Sequence, residues 1–220
     1  MSDNKPGLLD NIKGIIFDFD GTLYDNVFIA FNMVFVWPPN MFFLLMERIV
    51  RKRFTGRDYS SPQEYSKVFF SALGKACFQP PQKVQAWYYD RFIPRFTQVL
   101  KRHYKPRRGL KELFEHYTAG KTSLPKIAVY SDYPFLKERM EALGIPTEKV
   151  LMYGPESFGA QKPAARPFLR IAEELGALPQ DILVIGDRVN TDGIGALNAG
   201  MKFFRVKKKN WDYVIKELSR

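Results

Sequence analysis

The chain has 220 residues, 45% of them hydrophobic and 26% charged, with one cysteine and a formal net charge of +11. These values fit an ordinary globular chain long enough to bury a sizeable core, and they exclude an intramolecular disulfide scaffold and a low-complexity polymer. The excess charge is uneven: residues 26–105 hold thirteen Lys/Arg against four Asp/Glu, and the rest of the chain holds twenty-one against nineteen.

Met1 to Asp10 is polar and lacks an apolar stretch of the secretory kind, so a cytoplasmic protein is expected. Ile15-Ile16-Phe17 reads as a first strand. The block 26–105 contains no convincing strand; it reads as helices broken at Pro38-Pro39, Pro62, Pro80-Pro81 and Pro94, with dense aromatics such as Phe28, Phe31, Phe35, Trp37, Phe42 and Phe43. Within it, Val27 to Leu45 is almost wholly apolar and about as long as a bilayer-spanning helix, but Asn32 and Pro38-Pro39-Asn40 interrupt it. Two helices meeting at a turn is the plainer reading, and an interfacial, lipid-facing segment is the minor alternative. The basic cluster Arg48, Arg51, Lys52 and Arg53 follows, and such a block favours anionic partners.

From Lys126 onward, short apolar runs alternate with helical ones. Ile127–Tyr130, Val150–Tyr153, Ile182–Ile185 and Lys202–Val206 read as strands; Phe135–Leu143, Arg166–Leu175, Thr191–Ala199 and Trp211–Leu218 read as helices, the first three closed by Gly144, Gly176 and Gly200. That alternation predicts an α/β fold, a Rossmann-like parallel sheet with helices on both faces, plus an all-helical insertion. The expected domains are a core of residues 1–25 and 106–220 and a helical cap of residues 26–105.

Asp18-Phe19-Asp20-Gly21-Thr22 directly follows the first strand. Side chains alternate along an extended chain, so Asp18 and Asp20 share one direction and Phe17 and Phe19 the other. The carboxyl ends of strands in open α/β sheets are where ligands bind. Three more polar groups follow predicted strands: Ser131, Lys162 before Pro163, and Asp187 with Asp192 in Gly186-Asp187-Arg188-Val189-Asn190-Thr191-Asp192. Each also has a plain structural role open to it: a turn or helix cap for Ser131, surface for Lys162, helix-dipole pairing for Asp192. Converging carboxylates with few nitrogen or sulfur donors suit Mg²⁺.

These four motifs, in this order, resemble the haloacid dehalogenase (HAD) superfamily of phosphohydrolases. The resemblance covers Lys13–Tyr24 and roughly Gly109–Val206, and the insertion corresponds in position to the family's helical cap. It implies that Asp18 attacks phosphorus and carries the phosphoryl group, while Asp20 protonates the leaving oxygen and then serves as base for water. Ser131 and Lys162 would hold the phosphoryl oxygens, with Gly21, Thr22 and Asp132 in the same pocket. Asp18, Asp20 (through its backbone carbonyl), Asp187 and Asp192 would bind or support Mg²⁺. Two positions depart from the usual pattern: Ala165 stands where Lys-Pro-x-Pro ends in proline, and Asp132 where Asn often follows the serine. Dehalogenases of the family lack a carboxylate at the position of Asp20, so the resemblance implies a phosphatase.

The function so implied is Mg-dependent hydrolysis of a phosphomonoester through an aspartyl-phosphate. The alternatives are a phosphomutase or phosphotransferase with the same nucleophile, and a lipid- or nucleic-acid-binding module on a vestigial core. The expected partner is a phosphorylated small molecule, with extra negative charge or an apolar tail if cap residues such as Arg51 and Arg53 read it. Anionic lipid contact through the basic cap, peripheral at the membrane, is part of the reading; nucleic acid is not expected.

Overall fold

The computed structural model describes residues 7–36 and 40–219. Gly14–Asp18 (β1), Lys126–Tyr130 (β2), Leu151–Tyr153 (β3), Ile182–Gly186 (β4) and Lys202–Arg205 (β5) form one sheet in the order β3-β2-β1-β4-β5, every pairing parallel. Between β1 and β2 run the helices α1 (Ile29–Val36), α2 (Met41–Phe54), α3 (Pro62–Cys77), α4 (Pro81–Trp87), α5 (Ile93–His103) and α6 (Leu110–Thr118). A π-helical turn, Tyr88–Phe92, joins α4 to α5. After β2 come α7 (Leu136–Ala142), α8 (Pro155–Phe158), α9 (Ala165–Leu175), α10 (Ile194–Asn198) and α11 (Trp211–Leu218). The expected parallel α/β core and its strand-helix rhythm are therefore present.

The continuous apolar strands follow from burial on both faces. Ile15 and Phe17 of β1 join one cluster, with Ile127, Val129, Leu183 and Ile185, against Phe114 of α6, Met140 of α7 and Val214 of α11. Ile16 points the other way, into a second cluster with Ala128, Tyr130 and Val184 against Phe168 and Ile171 of α9. Each such side chain contributes about 1.5–3 kcal/mol on burial, so the sheet is anchored from both sides.

No strand forms among the described residues of 26–105; an isolated bridge joins Tyr24 to Pro106 just outside its two ends, and another joins Asp58, within it, to Ala160. The helices break at Pro62 and Pro80-Pro81 as expected, whereas the chain runs through Pro94 without a gap. Pro62 and Pro81 open α3 and α4, where a missing N–H costs nothing, and Pro94 sits in the first turn of α5. Trp37 and the Pro38-Pro39 turn lie outside the described residues. Cys77, in the last turn of α3, is buried and free.

Candidate active site

Asp18 closes β1 beside Tyr130, the last residue of β2, while Gly186 closes β4. The residues that follow, Ser131 and Asp187, therefore leave the sheet at the same carboxyl rim. Phe17 and Phe19 are wholly buried and hold the chain between them in place. Asp18 Oδ1 accepts a hydrogen bond from Lys162 Nζ at 2.6 Å, and its Oδ2 accepts one from the Thr22 hydroxyl at 2.9 Å. Lys162 Nζ also donates to Asp192 Oδ1 at 2.8 Å. Gly21 has φ +94, and a Cβ there would lie 2.4 Å from Asp187 Oδ2, so position and conformation both require glycine. Arg107 fixes the same turn by donating to the carbonyls of Gly21 and Thr22.

One oxygen from each of Asp18, Asp187 and Asp192 lies within 4.8 Å of the others. Burial, then Asp192, pushes Asp18 well above the usual carboxylate range, against the pull of Lys162. Burial and Asp192 likewise push Asp187 up to about 6. Burial alone would favour a neutral Lys162, but Asp18 and Asp192 outweigh it and hold the amine protonated. Three carboxylates thus face one ammonium. Asp187 Oδ1 is buried with no hydrogen-bond partner. An orphan carboxylate oxygen, surplus negative charge and an all-oxygen donor set together fit a divalent cation.

Asp20 belongs to a second cluster. Arg139 Nη2 donates to both its oxygens, at 2.5 and 2.6 Å; the Tyr24 hydroxyl donates to Oδ1 at 2.6 Å and the Ser131 hydroxyl to Oδ2 at 3.0 Å. Burial works against the charged form of Asp20, but Arg139's charge and these hydrogen bonds prevail, and its carboxyl is held below the usual range. Arg139 is fully buried, with its guanidinium over the rings of Phe19 and Phe96. Ser131 Oγ also accepts from Arg139 Nη1 and from the Tyr133 amide. The two strand-end aspartates therefore share a rim but answer to different cations.

The remaining expected residues are close by. Asp132 Oδ1 accepts from the backbone amide of Lys162, and Asp192 Oδ2 from that of Arg188. Asp192 lies in a π-helical turn, Val189–Gly193, that precedes α10. Arg51, expected among the cap cations that would read a substrate, is engaged within the protein itself. Its side chain is buried, pairs with Glu47, donates to the Tyr88 hydroxyl and the Asp132 carbonyl, and lies over the Tyr133 ring. It is a tie between α2 and the loop after β2. Arg139, Tyr24 and Arg107 were not anticipated. Of these, Arg139 carries a signal: it shares a helical face with Leu136, Met140 and Leu143, all buried.

The family model for haloacid dehalogenase-like hydrolases matches residues 12–200. The phosphoglycolate phosphatase of Salmonella typhimurium is 25% identical over 220 residues, covering 83% of this chain and 76% of the relative. Among solved structures, the L-2-haloacid dehalogenase of Xanthobacter autotrophicus superposes with a TM-score of 0.56 at 18% identity, over 90% of this chain and 80% of its own. A dehalogenase with an intermediate complex gives 0.59 at 14% identity, over 92% and 88%. These two structures share the fold.

Proposed function

Because the chain belongs to the haloacid dehalogenase-like hydrolase family, whose model covers residues 12–200, we propose that it is a phosphatase that cleaves a phosphomonoester through a phosphoryl group carried on Asp18. The observation that carries this reading is the clamp on Asp18: Lys162 on one oxygen and Thr22 on the other, with Asp187 and Asp192 alongside. A carboxylate so fixed has its rotamer set before substrate arrives, which favours in-line attack. One Asp18 oxygen forms the new bond to phosphorus as the bond to the leaving oxygen breaks, and water later takes the phosphoryl group to give inorganic phosphate and free Asp18. Lys162 offsets the charge that collects on the transferring oxygens. Asp18, Asp187 and Asp192, with the carbonyl of Asp20, would hold a divalent cation, magnesium by its preference for oxygen, which supplies the positive charge that lets a phosphate dianion approach these carboxylates.

Asp20 is the proton-transfer group in this proposal. Held as a carboxylate by Arg139, it is in the form that accepts a proton from water. To protonate the leaving oxygen it must first exchange some of these partners for a proton. Ser131, Gly21, Thr22 and Asp132 border the phosphoryl site. Residues 26–105 are proposed as the cap over a core of 1–25 and 106–220, supported by the run of helices between β1 and β2. A cytoplasmic setting is part of the reading, in keeping with the single cysteine.

Phosphoglycolate, named for the Salmonella relative, is the first substrate to test. Release of inorganic phosphate from it and from other phosphomonoesters, with Mg²⁺ present, should be abolished by chelation and by Asp18→Asn, whose circular dichroism should match the wild type. Wild-type turnover by Asp18→Asn would remove the nucleophile assignment. Phosphoryl transfer to a second sugar or alcohol without release of phosphate would favour a mutase or transferase instead.

A further inference from the structure

We infer that the outer face of α2 is a docking surface for an anionic lipid bilayer, a property separate from the phosphatase reading. The helix runs Met41–Phe54. At 3.6 residues per turn, its exposed residues fall within an arc of roughly 140°. Four of them are apolar and strongly exposed: Met41 at 55%, Leu45 at 53%, Phe42 at 46% and Ile49 at 38%. The other three are cations, Arg48, Lys52 and Arg53, all exposed. None of the three is in an ion pair among the described residues, and the one acid of the helix, Glu47, is buried and paired with Arg51 on the opposite face.

The distribution along the axis matters as much as the arc. Met41, Phe42 and Leu45 lead the exposed face, and Arg48, Lys52 and Arg53 surround Ile49 in its second half. Aliphatic and aromatic groups left in water are costly, and four on one stripe call for a cover. Three unpaired cations beside them call for a negatively charged one. A bilayer with anionic headgroups meets both demands: Met41, Phe42, Leu45 and Ile49 enter the acyl boundary while the long stems of Arg48, Lys52 and Arg53 carry their charges to the phosphates. A second copy of this face offers no anion to answer the three cations, since its one acid, Glu47, is buried. No helix among the described residues is long and apolar enough to cross a membrane, so the contact proposed is one of surface.

The test is co-sedimentation of the full chain with vesicles of phosphatidylcholine containing roughly a third phosphatidylglycerol, against phosphatidylcholine alone. Each cation near an anionic surface is worth about fivefold, so the preference for anionic vesicles should be on the order of a hundredfold and should shrink in high salt. Leu45→Glu with Ile49→Glu, and separately Arg48→Glu with Lys52→Glu, should each abolish binding. Because these side chains face solvent, both variants should keep the wild-type circular dichroism and phosphate release. Failure of the wild type to pellet with anionic vesicles would overturn the inference. So would equal binding by the variants, or a wild-type dimer in solution that Leu45→Glu dissociates, since the face would then be covered by another copy.

Discussion

Arg139 and Asp20 form the pair whose loss should be most informative. Removing the guanidinium leaves a partly buried carboxylate without its main partner, and Arg139→Ala should lower stability by about 3–5 kcal/mol in urea unfolding at neutral pH. The sign of the pH dependence follows from Asp20's lowered pKa. The pair stabilises the fold above the ordinary carboxylate range, and that contribution is lost as pH falls through the native value. Wild type and variant should therefore converge in stability on acidification. Asp20 should also titrate higher in the variant, moving the acid limb of the rate profile to higher pH, while Arg139→Lys should restore much of the original limb. At this scale most of the site was readable. Asp18, Ser131, Lys162, Asp187 and Asp192 stand out from their places after predicted strands, and they gather at one rim of the candidate site. Arg139 was hidden because Lys137-Glu138-Arg139 looks like a solvated charge run, although its helical phase assigns it to the buried face. Tyr24 and Arg107 act through a hydroxyl and through backbone carbonyls, contacts that no residue spacing encodes.

Among the elements, the strands were legible because burial on both faces demands unbroken apolar runs, and α11 matches its expected span, Trp211–Leu218. The helix expected from Thr191 is replaced at its start by the π-helical turn Val189–Gly193, which turns Asp192 toward Lys162. In the insertion, the break expected at Pro62 is the start of α3, which the Ser61 hydroxyl caps by accepting from the Glu64 amide. Arg51 was misjudged because its neighbours Arg48, Lys52 and Arg53 are exposed, and only helical phase separates it from them. Its burial carries a prediction. Arg51→Ala leaves Glu47 without its partner inside the protein, and should cost about 3–5 kcal/mol, whereas Arg53→Ala should fall within about 0.5 kcal/mol of wild type by the same urea titration. Equal effects of the two substitutions would contradict the burial difference.

Over the whole molecule, the parallel α/β architecture followed from strand and helix alternation, but the strand order and the connection between insertion and core did not. One apolar cluster holds Ile15, Phe17 and Val129 of the sheet together with Val50, Phe69 and Phe96 of the insertion. Polar ties add to it: Arg51 to the Asp132 carbonyl, Gln161 to the Tyr65 hydroxyl, and Arg166 to Asp58. Contacts of this kind bring together residues about a hundred positions apart, which a pattern of local periodicities does not specify. The two parts should accordingly unfold as one unit. Tryptophan fluorescence, to which Trp87 of the insertion and Trp211 of the core contribute, and far-ultraviolet circular dichroism should give coincident urea midpoints. Two separate midpoints would mean that the shared cluster does not couple them.

The seclusion of Cys77 bears on how the protein can be handled. Only 3% of the residue is open to solvent, and burial pushes its thiol up to about 11, so at neutral pH almost no thiolate exists to react. Purification in air without a reductant should yield no disulfide-linked pairs on a non-reducing gel. Iodoacetamide should leave the native protein unmodified, add one label after denaturation, and thereby serve as a gauge of the unfolded fraction.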